Sequence, residues 1–77
     1  MDGEQLMQRA IEVARAGVRA GQSPFGCAIA RSGQVLACEH NTVLATPDST
    51  AHAEINAIRS ACRRAGQFHL TGALVAT

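Results

Sequence analysis

His52 and Glu54 stand two residues apart in the run Thr50-Ala51-His52-Ala53-Glu54-Ile55-Asn56-Ala57-Ile58-Arg59. An imidazole can hold a metal or carry a proton, and a carboxylate beside it can take a proton from water and hand it on. Each residue alone has a structural explanation. A single histidine at a helix start is usually structural, and an acidic side chain in a first turn usually steadies the helix dipole. Their pairing, and the face on which Glu54 falls, favour acid/base chemistry.

That face follows from helical periodicity. Ile55, Ile58, Ala61, Cys62 and Ala65 recur at spacings of three and four, which predicts a helix over 51–65 with one apolar side. Asn56, Arg59, Ser60 and Arg63 fall opposite, on what reads as the wet face. At about 100° per residue Glu54 lies inside the apolar sector, one turn before Ile58. A buried carboxylate without a partner is costly, so Glu54 needs a partner or a function. His52 falls outside the sector, but a first-turn side chain can point past the helix end, where a site at the helix mouth would lie.

The remaining composition narrows the field. Seventy-seven residues make one domain at most, with a small core that is marginal without a metal, a disulfide or a partner. Phe25 and Phe68 are the only aromatic residues, so the core is built from Ala, Ile, Leu and Val. A net charge of +1 gives no electrostatic case for tight binding to nucleic acid or a membrane. Met1-Asp2-Gly3-Glu4 is acidic and no apolar block follows it, which reads as neither signal peptide nor membrane span and predicts a cytoplasmic protein. Cys27, Cys38 and Cys62 form no C-x-x-C pair and no disulfide framework. Cys62 lies ten residues beyond His52, roughly 15 Å along a continuous helix, too far to share a zinc ion with it. Cys27 and Cys38 read as strand residues of the core, which leaves His52 as the one metal ligand in view.

The elements that must position these residues are legible in order. Asp2 and Gln5 have capping-box spacing and start a helix, whose stripe is Leu6, Met7, Ala10, Ile11, Ala14 and Val18 and whose stop is Gly21. Gln22-Ser23-Pro24-Phe25-Gly26 is a connector. Cys27–Arg31 and Gln34–Cys38 read as strands about a Ser32-Gly33 turn. The first strand is apolar on both faces, as in a sheet covered on both sides. A loop from Thr42 to Ala51 brings Asn41 towards the next helix, which Ser49 or Thr50 would cap and Gly66 would end. Asn41 is either a turn residue or a donor–acceptor pair able to read a base edge, while His40 and His69 read as surface residues. Residues 73–77 form a third strand. The strand–helix–strand order predicts a layered α/β fold with some parallel pairing.

Pro24-Phe25-Gly26, the hairpin, His40-Asn41, Asp48-Ser49-Thr50-Ala51-His52-Ala53-Glu54 and Ala57-Ile58-Arg59 together resemble the zinc-dependent nucleobase and nucleoside deaminases of the cytidine deaminase-like superfamily. The details are most similar to bacterial guanine deaminases, followed by tRNA adenosine deaminases and cytosine deaminases. The resemblance implies a three-layer α/β fold, of which residues 1–77 are the N-terminal half, as helix-strand-strand-helix-strand. It implies a zinc ion with His52 as ligand, Glu54 as the catalytic proton shuttle, Asn41 as a hydrogen-bond partner of the base, and Phe25 near the pocket. It implies a small nucleobase or nucleoside as substrate, guanine favoured, and a homodimeric parent enzyme. Two departures stand out. Ser49 replaces a usual proline, and the P-C-x-x-C that supplies two thiolate ligands is absent from these residues. The chain alone is therefore expected to be inactive or nearly so, with the last strand bare along one edge. A metal-free binding or assembly module derived from the same fold, or a chain that does not fold alone, are the competing expectations.

Overall fold

The computed structural model describes residues 1–77. Helix α1, Gly3–Arg19, starts as its spacing predicts. The Asp2 carboxylate accepts the Gln5 backbone N–H at 2.8 Å, and the Gln5 side-chain oxygen accepts the Asp2 N–H at 3.0 Å. Two orphan donors of the first turn are thereby satisfied. The helix ends at Ala20, and Gly21 follows with φ +83°.

Strands β1, Gly26–Arg31, and β2, Gln34–His40, form an antiparallel hairpin. Its two turn residues, Ser32 and Gly33, both have positive φ, 53° and 77°. Two successive positive values match the right-handed twist of the flanking strands. A bulge between Ile29 and Ala30 leaves Leu36 without a partner in the ladder. Helix α2, Ala53–Ala65, stops at Gly66 in the left-handed region, and β3 is the short strand Leu74–Ala76.

The sheet order is β2-β1-β3, and β1 runs antiparallel to both neighbours. The crossover through α2 does leave β2 and β3 pointing the same way. They do not pair, because β1 lies between them, so the expected parallel ladder is absent from these three strands. Side chains of β1 alternate between two apolar clusters. Cys27 and Ile29 pack with Ala37 and with Ala53, Ala57 and Ala61 of α2. Ala28 and Ala30 pack with Leu6 and Ala10 of α1 and with Ala76. The result is helix, sheet, helix in three layers, with β1 buried on both faces as its composition predicts. Cys27 is in the core as expected, whereas Cys38 is only half-buried, its thiol facing the Arg9 carbonyl at 3.5 Å.

The apolar face of α2 is a correction. Ala53, Ala57 and Ala61 face the sheet, while Ile55 and Cys62 are half-buried and Ile58 is 44% exposed. Alanine barely registers on a hydrophobicity wheel beside isoleucine, so the sequence stripe pointed about a quarter-turn away from the contact stripe. The isoleucine face has no cover within these residues. Leu74 and Val75 are also exposed, and β3 has one unpaired edge, as expected for this strand. No helix is long and apolar enough to cross a membrane.

Candidate active site

The hairpin register places Gly26 opposite His40, so Phe25 and Asn41 emerge side by side from one end of the sheet. The Asn41 N–H donates to the Phe25 carbonyl at 3.1 Å and fixes that junction. Gly26 is required there. A Cβ on it would come within 2.2 Å of the Ala10 carbonyl oxygen, so only glycine lets α1 lie this close to the start of β1.

The loop from Thr42 to Ala51 returns the chain to the same end. Thr42 N–H donates to the Ala51 carbonyl at 3.0 Å, closing the loop at its base. Asp48 organises its tip, accepting the Thr50 hydroxyl at 2.7 Å and the Thr50 N–H at 2.9 Å. Those two bonds hold the Asp48 carboxyl below its ordinary pKa. They also occupy Thr50, which therefore does not cap α2. The N-cap is His52, with extended backbone and no side-chain hydrogen bond to the helix. Its imidazole is left to face outward from the helix mouth.

Phe25, Asn41, His52, Ala53 and Glu54 line one cleft of about 260 Å³. The His52 Nδ1 lies 3.3 Å from the Glu54 Oε1, with side chains 55% and 46% exposed. The sequence placed Glu54 inside the buried stripe. The structure puts it at the rim, half in water, between the alanine face and the isoleucine face. Its neighbours there are the His52 imidazole and the cleft. Below it, burial raises the Cys27 pKa and the nearby Glu54 charge adds to the shift, so this thiol stays protonated near neutral pH and is no nucleophile.

Asn41 is buried, 6% exposed, and its side chain is half committed. Its Oδ1 accepts the Val43 N–H at 3.1 Å. Its Nδ2 has no partner within the chain, so a ligand at this position must offer an acceptor. The turn expected of Asn41 is present, made by its oxygen, and the residue also lines the cleft. Phe25 is 59% exposed and forms an outer wall.

Two polar residues were misplaced by the sequence reading. His40 is no surface residue. Its ring packs on Gly17, where a Cβ would lie 2.7 Å from the His40 Cγ. Its Nδ1 donates to the Asn41 carbonyl at 2.8 Å. Asn56, assigned to the wet face, is half-buried and bonds to the loop. The i, i+4 alanines at 53, 57 and 61 were the signal that would have turned Asn56 inward. His69 is exposed, as expected, edge-on to Phe68.

No group of three or more His, Cys, Asp or Glu side chains is gathered in a way that could hold a metal ion. Zinc sites use four ligands, or three protein ligands and an open position. His52 supplies one imidazole, and the three cysteines lie elsewhere. The residues present do not make a zinc site by themselves.

A three-layer α/β fold thus brings an imidazole, a carboxylate and a half-committed carboxamide together around the mouth of α2. All of residues 1–77 match the family described as the cytidine and deoxycytidylate deaminase zinc-binding region, and the chain belongs to that family. It is 40% identical over 78 residues to a guanine deaminase of Bacillus subtilis, covering 100% of this chain and 50% of the relative. It is 36% identical to a tRNA-specific adenosine deaminase of Aquifex aeolicus, over 94% of this chain and 48% of that protein. The solved structure of the Bacillus subtilis guanine deaminase superimposes with a TM-score of 0.93 at 39% identity, over 97% of this chain and 48% of its own. The chain spans about half the length of the curated relatives it matches.

Proposed function

We propose that these residues form the N-terminal half of a hydrolytic deaminase site for a nucleobase, with guanine the favoured substrate. The observation that carries this reading is the convergence of Glu54, His52, Asn41 and Phe25 on one cleft. At about 260 Å³ it is smaller than the about 300–1,000 Å³ of drug-sized pockets, a scale suited to a single base. Likeness to a guanine deaminase over the whole chain supports guanine.

In this reading hydrolysis adds water at the amine-bearing ring carbon, breaks the carbon–nitrogen bond and releases ammonia. Two protons must move, one to the ring nitrogen and one to the departing amine. Glu54 sits at the rim within reach of solvent and cleft, so its carboxylate takes the proton from water and delivers it. Asn41 Nδ2 donates to an acceptor of the base and fixes its orientation. Phe25 offers a flat apolar wall for the ring. His52 would give one nitrogen to a zinc ion, which would need further ligands beyond those gathered here. Zinc in such a site makes water acidic enough to attack near neutral pH. With one ligand in place, the 77 residues alone turn over no base.

Likeness to tRNA-specific adenosine deaminases favours a second substrate, adenosine within an RNA hairpin. Ammonia release from guanine, free adenosine and an anticodon hairpin separates the two. The purified 77-residue chain with zinc is expected to release none. A peptide carrying P-C-x-x-C is expected to bring stoichiometric zinc binding that His52→Ala abolishes. Turnover by the 77 residues alone would overturn the half-site reading. Zinc binding that ignores His52 would overturn its role as ligand.

A further inference from the structure

Asn56 lies outside the cleft, yet its side chain touches the chain on both sides of it. The Nδ2 group donates to the His40 carbonyl at 3.0 Å, to the Thr42 hydroxyl oxygen at 2.9 Å and, more weakly, to the Ala51 carbonyl at 3.4 Å. His40 and Thr42 are the two neighbours of Asn41, and Ala51 is the residue before His52. The Asn56 backbone N–H bonds to the His52 carbonyl at 2.9 Å, so the side chain is anchored in the first turn of α2. No other α2 side chain donates to this loop. We infer that Asn56 is a positioning residue, which sets where the Asn41 amide and the His52 imidazole stand relative to each other across the cleft.

The chemistry at this point admits few substitutes. Three oxygen acceptors converge on one amide nitrogen, and the Ala51 carbonyl also accepts the Thr42 N–H at 3.0 Å. A carboxylate here would meet only acceptors, and an apolar side chain would leave a half-buried carbonyl and hydroxyl without their donor. Small displacements matter at a reacting centre, where a 1 Å error can cost about 10²-fold in rate. The inference takes its functional weight from the deaminase reading, but its geometry does not depend on it.

The test uses the full-length protein, labelled with ¹⁵N, as wild type, Asn56→Leu and Thr42→Val. In Asn56→Leu the Asn41 side-chain amide and His52 ring signals are expected to shift together, with signals from Leu6 and Ala10 unmoved. Exchange of the Thr42 amide hydrogen is expected to accelerate at least about tenfold as the loop base loosens. Thr42→Val removes one acceptor and is expected to shift the same two signals by less. In guanine turnover, Asn56→Leu is expected to lower kcat more than it changes KM, by up to about 10²-fold. A folded Asn56→Leu protein with both signals in place would overturn the inference. Should that variant fail to fold, unmoved signals in Thr42→Val would do the same. Shifted signals in a protein whose wild type releases no ammonia would keep the positioning role and sink the deaminase reading.

Discussion

The two helices begin in opposite ways. At α1 an aspartate and a glutamine close a reciprocal pair of hydrogen bonds on the first turn. At α2 the N-cap is a histidine whose side chain makes no capping hydrogen bond to the helix backbone. Asp, Ser, Thr and Asn are the effective caps, and histidine is a poor substitute. The first helix is started for stability. The second gives up a cap, leaving an imidazole at the rim of a cleft. What the difference teaches is that the weak start of α2 coincides with the proposed site, as when natural sequences depart from local rules at functional positions.

The comparison can be broken from either side. The largest expected effect is on catalysis: Glu54→Gln in the full-length protein should lower guanine turnover by about 10²–10⁴-fold, the usual worth of a general acid/base, and leave the melting temperature nearly unchanged. Gly26→Ala comes next, because its Cβ meets the Ala10 carbonyl at 2.2 Å and prises α1 from β1. Urea denaturation should show a loss of about 1–3 kcal/mol, the cost of overpacking. The caps then give effects of opposite sign. Asp2→Ala should destabilise by about 1 kcal/mol, and His52→Ser should stabilise by a similar amount by giving α2 the cap it lacks. The stabilised variant should lose zinc affinity and turnover. Equal destabilisation by both changes would erase the contrast drawn between the two helix starts.

The smallest effect is that of pH on the loop between them. Asp48 has a folded pKa below its ordinary value because Thr50 donates two bonds to the charged form. A lowered folded pKa gives stability that is present above the unfolded value of about 3.9 and lost as pH falls through the folded one. Both bonds lie within one loop, so the effect is local. Faster exchange of the Thr50 and Ala51 amide hydrogens under acid, absent in Asp48→Asn, is the expected sign.

Local backbone chemistry was legible in the sequence. The Asp2–Gln5 box, the Ser32-Gly33 turn and the Gly66 stop each depend on residues adjacent in the chain, so their spacing carries them. The doubly apolar β1 announced two covering layers. The orientation of α2 was not legible, because it rests on three alanines that compete on the wheel with larger, unpartnered isoleucines. From that one error came two more: Glu54 was placed too deep and Asn56 too far out. Pairing β2 with β3 failed for another reason, since a crossover fixes strand direction but not which strand lies between. Of the residues gathered at the cleft, Asn41, His52 and Glu54 were named from the residues themselves and Phe25 from the resemblance, while Ala53 was not named as a site residue. The half-spent state of the Asn41 carboxamide was not legible, because it depends on a hydrogen bond formed only when the loop closes.

The seat of α2 on alanine carries a consequence for accuracy. A methyl group has no rotamer to change and loses no side-chain freedom on burial. A helix resting on Ala53, Ala57 and Ala61 therefore has no long side chains of its own on that face to absorb an error. The imidazole and carboxylate at its tip take their positions from that seat. Methyl groups act as its bearing, and the tolerances of the proposed reaction would follow from their lack of give.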